Sequence, residues 1–275
     1  MAGPVLTGES IEEETRLHDT LAQIKHVIIV ISGKGGVGKS TVSSNLALSL
    51  AMKGYETGLM DIDITGPNIP KMFNIEDEQL MANEKKQLIP IIVPPRLKVM
   101  SMAFLLPSKD VPVMWRGPIK MSAVQQFIED VNWGKLDYLV IDMPPGTGDE
   151  ALSIVQLIPK ADGMVVVTTP QQVALLDSRK SVGFAAETKI PIIGIIENMS
   201  GFVCPHCGEV TDIFKTGGGE ATAKEMNIQF LGKVPIEPEV VESGDSGVPI
   251  VLKNPDSASA KAFASIVDKI VKTVE

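Results

Sequence analysis

Two cysteines in 275 residues are too few for a disulfide framework and fit a reducing compartment. Aromatic residues make up only 4% of the chain, against 44% for all hydrophobic residues. The core must therefore come from Val, Ile, Leu, Met and Ala, a mix suited to parallel strands covered by helices. Basic residues are outnumbered, 25 Lys+Arg to 34 Asp+Glu, for a net charge of −9. That balance argues against a nucleic-acid partner. No apolar run approaches the roughly 20 residues that cross a bilayer. The acidic N-terminus (Glu9, Glu12, Glu13, Glu14) lacks the basic-then-apolar order of a signal peptide. A cytoplasmic protein without a membrane partner is expected.

What is present starts with Gly33-Lys34-Gly35-Gly36-Val37-Gly38-Lys39-Ser40, which fits the phosphate-binding pattern G-x-x-x-x-G-K-[ST]. The apolar run His26 to Ile31 precedes it and a helical stretch, Ser40 to Lys53, follows. Four glycines let the backbone curl so that its N–H groups face phosphate oxygens. The positive end of the following helix, with Thr41 in its first turn, adds to the cradle. Lys39 is expected to reach the β/γ-phosphates and the Ser40 hydroxyl to bind Mg²⁺. A nucleoside triphosphate ligand follows.

Strand patterns lie near 26–32, 57–61, 97–103, 137–142, 163–168, 191–197 and 229–233. Helical patterns lie near 39–53, 117–131, 149–158, 173–187, 217–226, 236–243 and 257–273. This alternation predicts an α/β fold: a mostly parallel sheet with helices on both faces, and a ligand at the carboxyl ends of the strands. Residues 1–24 read as an arm with Ile11, Leu17, Leu21 and Ile24 on one helix face. Residues 25–275 read as one P-loop ATPase domain. Lys85 to Pro94 reads as a small hairpin. The last helix carries an apolar stripe of Phe263, Ile266, Val267, Ile270, Val271 and Val274. The stripe is narrow and has no Trp anchor, so packing on the sheet is expected rather than membrane binding.

Two carboxylate segments sit at strand ends. Asp142 ends the Leu139-Val140-Ile141 strand, where a buried apolar strand delivers an aspartate toward Mg²⁺ and its waters. Asp61 and Asp63 end the second strand. Asp63 is the choice for orienting the attacking water, and Asp61 for supporting Mg²⁺ through its waters. Gly146 and Gly148 give the Asp142 loop room to move. The guanine-reading patterns N-K-x-D and T-K-x-D are absent from the chain. Asn198, whose amide offers a donor and an acceptor to adenine, and the apolar Val234-Pro235-Ile236 favour ATP instead.

Cys204-Pro205-His206-Cys207 holds the chain's only cysteines, within a loop near 199–216. Alone, C-x-x-C is open between a redox dithiol, half a zinc site, half an iron–sulfur site and no site at all. Two thiolates cannot fill a tetrahedral zinc or a four-thiolate [4Fe–4S] site, whereas two chains supply four.

The loop form G-K-G-G-x-G-K-[ST] resembles the deviant Walker A loop of the MinD/ParA/nitrogenase-iron-protein class. In that class the extra lysine, Lys34 here, contacts the nucleotide of a partner subunit, which implies a homodimer. Several motifs in order resemble the Mrp/ApbC family of iron–sulfur cluster carrier ATPases, Nbp/Cfd-type scaffolds included. They are Gly33 to Ser40, Asp61 to Pro70, Trp115-Arg116-Gly117-Pro118, Asp142 to Asp149, Glu197 to Gly201, and Cys204 with Cys207. The resemblance implies an ATPase that bridges a [4Fe–4S] cluster between two subunits and passes it to apo-proteins. Competing readings are a MinD/ParA-like positioning ATPase and an ATPase with a structural inter-subunit zinc on the same sulfurs.

Overall fold

A computed structural model describes residues 22–106, 117–158, 160–204 and 206–275. Ile11, Leu17, Leu21 and the Trp115-Arg116 pair lie outside them. Ile24, expected on the arm's helical face, instead opens the first strand, β1 (Ile24–Ile31), and is buried.

The apolar runs form the centre of a nine-stranded sheet. β1 lies between β7 (Leu136–Asp142) and β8 (Gly163–Thr168). β2 (Thr57–Asp61) lies between β7 and β6 (Leu97–Ser101), all in parallel. β9 (Ile192–Val203) extends the sheet beyond β8, and β11 (Phe230–Ile236) pairs with β9, again in parallel. The short β5 (Ile91–Val93) closes the other edge antiparallel to β6. This is the mostly parallel sheet expected from the sequence.

The predicted hairpin over Lys85 to Pro94 is differently built. β3 (Met81–Ala82) pairs with β4 (Leu88–Ile89) in a separate small ribbon, and β5 joins the main sheet. The turn is organised by Asn83, whose side-chain oxygen accepts from the Lys85 and Gln87 backbone N–H groups at 2.9 Å each. That Asx-type turn starts the hairpin four residues earlier than the hydrophobic pattern indicated.

Helices cover both faces. The α1 helix (Lys39–Met52) and two C-terminal helices, α8 (Ile250–Lys253) and α9 (Ala258–Val274), bury one face with Ile28 and Val30. On the other face α3 (Gly117–Asp130), α4 (Asp149–Gln156), α5 (Gln172–Thr188) and α6 (Gly218–Glu225) pack on Val27, Ile29 and Ile31. The side-chain period of two along β1 splits it between the two cores. Two short helices escaped the periodicity, α2 (Ile69–Met72) and α8. Four residues hold barely one turn of pattern. The α7 helix (Pro238–Ser246) completes the set. Among the described residues no helix is long and apolar enough to cross a membrane.

The C-terminal stripe packs inward. Phe263, Ile266, Val267 and Ile270 are buried against the sheet. Phe263→Ala is therefore expected to destabilise the fold by about 3–5 kcal/mol. Denaturant titration reads this as a lowered midpoint, and an unchanged midpoint would show that the helix does not hold the core.

Candidate functional site

The parallel register places the site. Across β7, Asp142 lies opposite Val30 of β1 and Asp61 of β2. Both carboxylates thus emerge at the carboxyl ends of adjacent central strands, beneath the loop that joins β1 to α1. Asp142 is fully buried. Its Oδ2 accepts from Ser40 Oγ at 2.7 Å and pairs with Lys39 Nζ at 2.7 Å. Its Oδ1 accepts from Ser43 Oγ at 2.6 Å. A charge taken out of water needs such partners.

Asp61 is also buried. Its Oδ2 accepts from Ser101 Oγ at 2.8 Å and its Oδ1 from the Asp63 backbone N–H at 3.1 Å. Burial first, then the neighbouring Asp142 charge, push Asp61 up to about 8, against the Ser101 hydrogen bond and the charge of Lys39. Asp63 uses Oδ1 to accept from the Thr65 and Gly66 N–H groups at 3.0 and 3.2 Å. It faces a cavity of about 220 Å³ shared with Lys34, Gly35, Gly36, Lys39 and Ser40. The structure therefore brings the loop residues, Asp61, Asp63 and Asp142 together.

Two glycines of the loop are required by contact as well as by curvature. Gly38 adopts φ 81°, and a Cβ there would lie 2.3 Å from the Asn198 amide nitrogen. A Cβ on Gly33 would lie 2.2 Å from the Asp177 carbonyl oxygen.

Asn198 and Pro235 line a second, apolar cavity of about 520 Å³. It adjoins the first through Gly38, Thr41, Asn68 and Met72, which line both. Ile236 and Phe214 add to its wall, while Val234 is core. The Asn198 amide nitrogen donates to the Val37 carbonyl at 2.9 Å. One of its N–H groups thus braces the phosphate loop, a part the sequence reading did not give it. A larger cavity beside α3, lined by Lys85, Lys86 and Gln125, shares no residue with either.

The cysteines stand apart from the phosphate loop, on a feature the sequence did not resolve. β9 continues to Val203 and turns into β10 (Val210–Thr211), with Val203 opposite Val210. The turn is closed by Cys204 N–H to Glu209 O at 2.9 Å and Gly208 N–H to Cys204 O at 2.8 Å. Cys204 and Cys207 thus sit at a hairpin tip, Cys207 exposed. The backbone N–H groups of His206 and Cys207, then the Cys207 thiol, hold Cys204 below the ordinary thiol value. Among the described residues no three His, Cys, Asp or Glu side chains converge as a metal site. The hairpin's base is clamped by Glu197. This buried carboxylate accepts from Ser200 Oγ at 2.5 Å, from Gly217 N–H at 2.8 Å and from Gly219 N–H.

A family model described as ParA, NUBPL iron-transfer P-loop NTPase, matches residues 23–271. The chain belongs to this family. An iron–sulfur cluster carrier protein of Methanocaldococcus jannaschii is 50% identical over 264 residues, 96% of this chain and 90% of that one. The cytosolic Fe–S cluster assembly factor CFD1 of Kluyveromyces lactis is 51% identical over 230 residues, 82% of this chain and 81% of its own. A nucleotide-binding protein from Archaeoglobus fulgidus, solved with ADP and cobalt, superposes with a TM-score of 0.76 at 37% identity, covering 86% of this chain and 91% of its own. Like other members of the iron-transfer P-loop NTPase family, the chain is an NTPase by its fold and loop.

Sequence reasoning missed Ser43, Ser101, Glu197 and Phe214. Ser43 and Ser101 carry no motif and are found only by asking what partners a buried carboxylate. Asp61 yields a pH prediction. Its native value lies above its ordinary 3.8, so the folded state holds the proton more tightly than the unfolded one. Stability from this group therefore falls as pH rises from about 4 to about 8. Without Mg²⁺ and nucleotide, Asp61→Asn should gain on wild type across that window by on the order of 1 kcal/mol or more. Thermal melts of both proteins at several pH values check this, and a gap that stays constant contradicts it.

Proposed function

We propose that this chain is an ATP-binding and ATP-hydrolysing iron–sulfur cluster carrier of the cytoplasm. Two copies hold one [4Fe–4S] cluster on Cys204 and Cys207 and pass it to apo-proteins. The observation that carries the reading is the cysteine pair on a hairpin tip, with Cys204 held below the ordinary thiol value, in a chain whose phosphate loop follows β1 of the same sheet, with β8 between β1 and β9. Names of relatives at about half identity support it. Each chain offers two thiolates and a cuboidal cluster takes four, so a homodimer completes the ligand set. The same four sulfurs suit zinc in tetrahedral geometry, so zinc in a purified sample would not count against the carrier reading.

The residues around the loop fit Mg²⁺. Ser40 and Asp142 present a hydroxyl and a carboxylate in direct contact, with Asp61 buried beside them. When bound, Mg²⁺ neutralises charge on the β- and γ-phosphates. Lys39 pairs with Asp142 in the ligand-free geometry, and an incoming triphosphate gives its ammonium stronger partners. Ser43 keeps Asp142 oriented while Lys39 turns to the phosphates. Asp63, tied down through one oxygen, orients the attacking water with its carboxylate. Lys34, at the edge of the same cavity, reaches the nucleotide of the second copy, and the apolar cavity at Asn198 and Pro235 takes the adenine. Hydrolysis is slow until the dimer closes and excludes water.

Four variants test this. Lys39→Ala should weaken ATP at least about a hundredfold in calorimetry, since it removes a charge-assisted contact and strands Asp142. Lys34→Ala should bind ATP as a single chain yet fail to close a dimer around a non-hydrolysable analogue in sedimentation. A closed Lys34→Ala dimer would refute the cross-subunit role. Cluster-loaded protein should activate an apo-enzyme that needs a [4Fe–4S] cluster, and Cys204→Ser or Cys207→Ser should transfer none. Equal transfer by these variants would end the carrier reading.

A further inference from the structure

The apolar cavity beside the phosphate loop is not walled by the nucleotide-binding elements alone. Met199 and Phe214 line it together with Gly38, Thr41, Pro235 and Ile236. Met199 and Phe214 belong to the two legs of the cysteine hairpin. Met199 lies on the outgoing strand, five residues before Cys204. Phe214 lies on the return, seven residues after Cys207.

The backbone is built to put them there. Met199 adopts φ 57° and Gly201 φ 77°, and the pairing of β9 with β11 shifts register between Val234 and Ile236 at the same point. A left-handed φ at a residue with a side chain is uncommon, and a bulge bends its strand. The bend lies at the cavity wall, where Asn198 and Met199 line it. On the return leg, Ile213 N–H donates to Thr211 O and Lys215 N–H to Asp212 O, both at 3.1 Å. These tight turns fix Phe214 relative to β10. Just beyond, Ser200 Oγ meets Thr216 Oγ1 at 3.0 Å, and the Glu197 carboxylate ties Ser200 to Gly217 and Gly219. The clamp joins the legs at their base, and Phe214 stands on its hairpin side.

Phe214 is also a large aromatic that the core does not use. In a chain with few aromatics, Phe73, Phe127, Phe184 and Phe263 are buried in the two cores, and Phe214 belongs to neither. It is half-buried against a cavity of suitable size for a nucleoside.

We infer that Phe214 is the nucleobase contact of this site, and that through it the cysteine hairpin is itself a wall of the nucleotide pocket. A bound nucleoside presses on the hairpin's return leg and restrains the tip that carries Cys204 and Cys207. This rests on the reading above that the adjoining cavities take a nucleotide. Base and phosphate then have separate tasks: the phosphates engage the loop, and the base reports to the cysteines. Because coupling between sites is reciprocal, a ligand on the cysteines alters affinity for the nucleoside and leaves that for free phosphate groups unchanged.

The test compares wild type, Phe214→Ala and Phe214→Tyr as full-length, metal-free chains. Calorimetry measures ADP against inorganic pyrophosphate. Phe214→Ala should bind ADP about tenfold more weakly, the usual scale for losing a base–aromatic stack. Pyrophosphate should be unaffected, and Phe214→Tyr should restore ADP. A second readout is the reaction of the two thiols with a chromogenic aromatic disulfide. Saturating ADP should slow it at least about fivefold in wild type and in Phe214→Tyr, but not in Phe214→Ala. Pyrophosphate should slow it in none. Unchanged ADP affinity in Phe214→Ala would overturn the base contact, and equal thiol protection by ADP in Phe214→Ala would overturn the link to the hairpin. Failure of wild type to bind either ADP or pyrophosphate would instead sink the nucleotide reading on which the inference rests.

Discussion

A single buried carboxylate organises the phosphate side of this molecule. Asp142 has no exposure to solvent, yet both of its oxygens are engaged, Oδ1 by Ser43 and Oδ2 by Ser40 and Lys39. All three partners lie in the first turns of α1, so the contact joins the central strand β7 to the helix that follows the phosphate loop. A buried anion without partners is strongly destabilising. The loop, the helix start and the strand end are therefore held in one geometry before any ligand arrives. The register of β7 with β2 sets Asp61 alongside. The fold relieves that second carboxylate through Ser101 and by keeping it close to neutral.

Such preorganisation suits a site that must receive four or more negative charges. Lys39 is held on Asp142 rather than in solvent, so the ammonium is positioned but not committed. The loop amides need only Gly33 and Gly38 to approach α5 and Asn198 without collision.

Much of this was legible in the sequence, for physical reasons that differ by element. The phosphate loop, β1, β2, β8 and α1 carry long apolar patterns or glycine-dependent geometry, and these tertiary context cannot easily override. The boundary of β9 was misjudged because Asn198, Ser200 and Gly201 are polar or small, and a bulge interrupts the period that marks the strand. The ribbon at β3 and β4 turned on the side chain of Asn83, which a hydrophobic pattern does not register. Ser43, Ser101 and Glu197 were invisible because their work is to satisfy groups far away in sequence. Glu197 lies within a motif that was noticed for Asn198, its neighbour. In the structure Asn198 also braces the phosphate loop, and Glu197 is the clamp beneath the cysteine hairpin.

That clamp relates the two halves of the proposed activity. β9 passes beside the apolar cavity at Asn198 and Met199 and ends at Val203, just before Cys204, so the proposed nucleotide and cluster sites lie along one strand and the turn that follows it. Two thiolates per chain remain half of what a [4Fe–4S] cluster requires, and this shortfall is the central claim. The most direct measurement is iron and sulfide per chain after anaerobic reconstitution, with sedimentation on the same sample. About two irons and two sulfides per chain, in a dimer, with a colourless Cys204→Ser/Cys207→Ser variant, is the predicted result. About four irons per chain in a monomer, or a double variant that keeps its cluster, would contradict it.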